Sequence, residues 1–82
     1  MKEQTADERL AWLLRDLCTR MGYSMAVRDP AKFKPLVALG AEVFADAVLV
    51  AEGLNPEHEK HLRRAVREFV SERFAGWSSR DA

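Results

Sequence analysis

The chain has 82 residues, 48% of them hydrophobic, with thirteen basic and thirteen acidic side chains and a formal net charge of zero. That length makes a single domain, 1–82, with a small core, because a chain this short buries only about 60% of its unfolded surface. Charge stays balanced along the chain, which disfavours nucleic-acid binding, where phosphate neutralisation demands a basic excess, and the lone Cys18 excludes an internal disulfide.

The first helix is predicted over 6–21. Thr5 and Glu8 have the spacing of a capping box, in which each side chain bonds the other residue's amide. Leu10, Leu13, Leu14, Leu17, Cys18 and Met21 follow at the i, i+3, i+4, i+7 spacing of one apolar stripe. Gly22 suits the left-handed position just past a helix end.

Residues 23–35 read as a connecting loop with a short turn. Asp29-Pro30 resembles an N-cap and a first-turn proline, but Pro35 follows five residues on and would break a helix interior. The second helix is therefore expected to start afresh near Pro35 and to run over 36–52, with Gly53 as its stop. In the run LVALGAEVFADAVLVAEGL, Leu36, Val37, Gly40, Val43, Phe44, Ala47, Val48, Val50, Ala51 and Leu54 would cover roughly half the helix circumference. The run has nearly the length of a membrane span. Glu42 and Asp46, one turn apart at its centre, would each cost about 2.5–3.5 kcal/mol in a bilayer, so it reads as a core helix and no membrane is expected.

Asn55-Pro56-Glu57 predicts the start of a third helix over 56–75, with Leu62, Val66, Phe69, Val70 and Phe74 as its apolar stripe. Gly76 would end it and leave a frayed tail over 78–82. Period-2 alternation is missing throughout, so the fold class is all-α, a small three-helix bundle around a central hydrophobic helix. A face that broad on so short a chain suggests a homodimer. With no basic-then-apolar leader at its N-terminus, the expected compartment is the reducing cytoplasm.

Candidate contact residues stand where the pattern is broken. Trp12 lies opposite the leucine stripe of helix one, among charged residues that include Arg15; tryptophan and arginine are enriched at interface hot spots. Tyr23, Arg28 and Phe33 make the 23–35 loop basic and aromatic, suited to a partner, although Phe33 equally suits a plug at the end of the bundle. Leu39, Val43, Asp46, Leu49 and Val50 form the side of helix two that helices one and three are least able to cover, and are assigned to the dimer interface. Arg73 interrupts the apolar stripe of helix three, and Asp46 or Glu42 is the expected partner.

Other constellations are weaker. His58 and His61 stand one turn apart as metal ligands do, but third and fourth ligands are missing, so no metal residue is assigned. Arg63, Arg64 and Arg67 form a basic strip that a helix-turn-helix regulator could turn to phosphate, or that Glu59 and Glu68 could lace into a solvated face. No Gly-rich phosphate loop and no nucleophile beside a histidine is present, so catalytic and cofactor-binding residues are none and the chain reads as a non-enzyme. The resulting expectation is a protein-binding module acting as a helical homodimer on a larger protein, as adaptor, inhibitor or regulatory subunit. A DNA-binding regulator using helix 56–75 is the alternative, and a metal-binding protein through His58 and His61 the weaker one.

Overall fold

The computed structural model describes residues 5–81, with side chains up to Trp77. Four α-helices account for most of them: α1 (Ala6–Met21), α2 (Pro30–Val37), α3 (Ala41–Ala51) and α4 (Lys60–Asp81). A single 3₁₀ turn over Ala26–Arg28 lies between α1 and α2.

Helix α1 forms as its punctuation predicts. Thr5 Oγ1 accepts from the Glu8 amide at 3.1 Å, and the Thr5 amide donates back to the Glu8 carboxylate at 3.3 Å. Gly22, at φ +72°, closes the helix by donating to the Cys18 carbonyl at 2.9 Å. Leu10, Leu13, Leu14 and Leu17 are all buried.

The predicted long second helix is two helices. Pro35 lies inside α2, and the break comes later, at the turn through Ala38, Leu39 and Gly40. The physical reason is twofold. Phe33 is fully buried and ties α2 to the core, while Pro35 on the exposed side forgoes a single bond to the solvent-facing Ala31 turn. Gly40 then takes φ +103° and ψ 166°, a conformation open almost only to glycine. A Cβ at Gly40 meets no atom within 4 Å, so Gly40→Ala should cost about 1–3 kcal/mol purely through the backbone. Gly76→Ala, in open space within α4, should instead gain about 1 kcal/mol. Urea unfolding of the two variants checks both signs, and a neutral Gly40→Ala would remove glycine's conformational freedom as the cause of the break.

Helix α3 ends in a paired cap: Leu54 donates to the Leu49 carbonyl at 2.9 Å and Gly53 to that of Val50 at 3.0 Å. The Asn55 side chain accepts from the Glu57 amide at 3.0 Å, as an N-cap does, but it closes a separate turn. The last helix starts at Lys60 rather than residue 56, with the Glu59 carbonyl accepting from Arg63 at 2.8 Å. It also passes through Gly76 to Asp81, so 78–81, expected to fray, continue the helix.

The core draws on every helix: the α1 leucines, Phe33 of α2, Phe44, Ala45, Val48 and Leu49 of α3, and Val66 and Val70 of α4. Aromatic rings form a ladder through it, Phe33 to Phe44 at 5.5 Å, Phe44 to Phe74 at 5.6 Å and Phe74 to Trp77 at 5.1 Å between centroids.

Candidate interaction surface

Helix α3 is apolar nearly all round, and its first charge, Glu42, sits one turn before its second, Asp46. Both are held across the groove to α4. Asp46 accepts two bonds from the Arg63 guanidinium, at 2.8 and 2.9 Å, and Glu42 pairs with Arg67 at 3.3 Å. Stepping back one turn on α3 moves one turn forward on α4, so the two helices run antiparallel. The bidentate bond to Asp46 is also the first cause that raises the Arg63 pKa above its ordinary value, with the carboxylate charge adding to it.

On the far side from the core, Leu39 is 62% exposed, Val43 43% and Val50 59%. Val43 and Val50 are seven residues apart on α3 and share a face with the small, partly buried Ala47 between them, while Leu39 lies in the turn that precedes the helix. The face is apolar and bordered on the α4 side by the two ion pairs.

Of the residues assigned to a dimer contact, Leu39, Val43 and Val50 are thus outward, and Asp46 stands at the border. Leu49 is corrected: it is fully buried. With the helix starting at Ala41, the inward positions are 44, 45, 48 and 49, and Leu49 falls among them.

Two of the five partner residues are corrected in the same way. Phe33 is the plug rather than an outward contact, and Tyr23 is 7% exposed within the core. The Tyr23 hydroxyl is buried with no hydrogen-bond partner. Its pKa is raised above 10.0, first by burial and then by the charges of Glu52 and Glu59. Tyr23→Phe should therefore stabilise the fold by about 1 kcal/mol, because it removes an unpaired buried hydroxyl. The sign of its pH dependence follows. The folded chain holds this proton more tightly than the unfolded one, so the contribution is complete below pH 10.0 and is lost as pH rises through the folded pKa. Alkaline unfolding of wild type against Tyr23→Phe checks both; a less stable variant would show that the hydroxyl is satisfied.

Trp12 remains outward, 51% exposed, with the Arg15 guanidinium 5.5 Å from its ring centroid. Arg28 is exposed at the end of the 3₁₀ turn. That turn is anchored by a residue outside every expected constellation: the Glu52 carboxylate accepts from the amides of Met25 at 3.2 Å and Ala26 at 2.7 Å. No local pattern links positions this far apart in sequence. Arg73 pairs with Asp16 of α1 at 3.0 Å and lies over Phe69, not with Asp46 or Glu42. The antiparallel register explains it, since Arg67 already meets the first turn of α3 and Arg73 lies beyond that end.

His58 and His61 are both exposed. Among the described residues no three histidine, cysteine, aspartate or glutamate side chains come together as a metal-binding group, and no helix is long and apolar enough to cross a membrane. No family model matches this chain, and no curated protein or solved structure is similar enough to be matched with it.

Proposed function

We propose that this chain is a small non-enzymatic protein-binding module that works as a homodimer, with the solvent face of α3 as the self-association surface. The observation that carries the reading is the exposed pair Val43 and Val50, with exposed Leu39 in the turn just before them, on a helix whose charges are already paired to α4. Burying these side chains strands no carboxylate, and water gains nothing by keeping them exposed. A two-fold axis near Ala47 would set each Val43 against a Val50 across it, the small residue allowing close approach. A standard interface takes about 800 Å² per partner, roughly a seventh of this molecule's 5681 Å², so α3 would form its centre and the flanking turns its rim. Trp12 and Arg15 then remain free to contact a larger protein, which suits an adaptor, inhibitor or regulatory subunit.

The nucleic-acid alternative draws less support. Arg63, Arg64 and Arg67 are engaged by Asp46, Glu68 and Glu42, and residues 52–59 make a longer link than the roughly 3–4-residue turn of a helix-turn-helix. The turn at 38–40 has that length, but α3, which follows it, carries no basic residue.

Light scattering on wild type and Val50→Glu tests the proposal. Wild type should have twice the chain mass of 9.3 kDa and the variant the mass of one chain. A wild-type monomer at about 100 μM, well above the Kd of a specific dimer, would overturn it.

A further inference from the structure

The apolar face of α3 has an ionised group at its edge. Asp46 follows Val43 by three residues and precedes Val50 by four, the two spacings that make neighbours on a helix. Its carboxylate therefore adjoins both exposed valines, and any body that covers the two together also takes water from Asp46. A carboxylate bears that poorly unless its oxygens are bonded. Here both are. Arg63 Nε donates to one at 2.8 Å and Nη2 to the other at 2.9 Å, from a position seventeen residues away in sequence. Glu42 differs: its contact with Arg67 is longer, at 3.3 Å, and its side chain is 73% exposed, so it keeps its water at the rim.

We propose that Arg63 controls self-association of this chain: by neutralising Asp46 from α4, it makes the face of α3 one that a second copy can cover. The inference rests on the dimer reading above. In the free chain the two side chains are each about one third exposed, 34% and 33%, and such a hydrated pair contributes little to folding. Once a second α3 lies on the face, that water leaves, and the same two bonds alone keep the carboxylate satisfied. Two-fold symmetry doubles the effect, because the assembly covers one Asp46 from each copy. The pair is thus nearly silent in folding and decisive in association.

The test is sedimentation equilibrium on the full chain as wild type, Arg63→Ala and Asp46→Ala/Arg63→Ala, beside thermal melts. Arg63→Ala should raise the dimer Kd roughly a hundredfold, about tenfold for each stranded carboxylate. Melted at a concentration where it is monomeric, it should lose no more than about 5 °C. The double variant should return to within about threefold of the wild-type Kd, since the carboxylate has gone along with its partner. A dimer as tight in Arg63→Ala as in wild type, or a double variant as weak as Arg63→Ala, would overturn the proposal and leave the dimer reading standing. An Arg63→Ala chain that no longer folds would overturn it too, because the pair would then hold the monomer together. A wild-type monomer would overturn both readings.

Discussion

Phe44→Ala is expected to lower the free energy of unfolding by about 3–5 kcal/mol. The ring is fully buried on α3 and meets Phe33 of α2 at 5.5 Å and Phe74 of α4 at 5.6 Å, the latter edge to face. Removing it leaves a cavity between three helices and breaks two aromatic contacts, each worth about 0.5–1.5 kcal/mol beyond the area buried. A chain of this size holds only about 4–12 kcal/mol in total, so the variant should sit near its unfolding midpoint at physiological temperature. Urea unfolding followed by far-ultraviolet circular dichroism gives the measurement. A loss below about 1 kcal/mol would place the ring outside the core and would undo the packing of α2 against α3.

Phe44 also shows how far the sequence could be read. The helix at 6–21 was legible because its capping box, leucine stripe and Gly22 all report local bonds, and local bonds are what short-range spacing encodes. The single helix expected over 36–52 is two helices for a related reason. Leu36 and Val37 stand seven or eight residues before Phe44 and so keep the helical phase straight through a break. Only the backbone of Gly40 interrupts it, and a lone glycine in an apolar run looks the same whether it lies within a helix or between two. Pro35 drew the boundary to the wrong place, since its exposed side of a short helix tolerates the missing bond and Phe33 supplies the packing that holds α2 in place.

The candidate surface was legible in part by the same logic. Leu39, Val43 and Val50 were legible as outward because the narrow stripes of the neighbouring helices cannot cover so broad an apolar surface, and all three are exposed. Leu49 is inward because the arc that meets the core is 44, 45, 48 and 49, and the flanking charges Glu42 and Asp46 pair with α4 beside it instead of marking an uncovered side. The ion pairs were within reach: Glu42 and Asp46 share one spacing, Arg63 and Arg67 the same spacing on the next helix, and antiparallel packing joins them in one register only. Arg73 with Asp16 and Glu52 with the 3₁₀ turn were not, because both depend on where α1 and its loop settle after the helices pack.

Leu49→Glu should unfold the chain at neutral pH, while Val50→Glu, one residue further on, should keep its fold. The two positions differ by about 100° around α3, enough to take a side chain from the core to open solvent. Leu49 is fully buried, so its replacement forfeits about 2–3 kcal/mol of apolar burial and puts a carboxylate into the apolar core. Such a group keeps its proton well above the usual carboxylate range, so the variant should regain helical content as the pH is lowered. Val50 is 59% exposed, and a charge there should change monomer stability by no more than about 0.5 kcal/mol. Circular dichroism on the two variants, run beside the mass measurement, therefore separates folding from association. A folded Leu49→Glu would mean that α3 is rotated from the orientation described, and with it the face given to self-association. An unfolded Val50→Glu would mean that this face is already packed within one chain, leaving no apolar row for a second copy to cover.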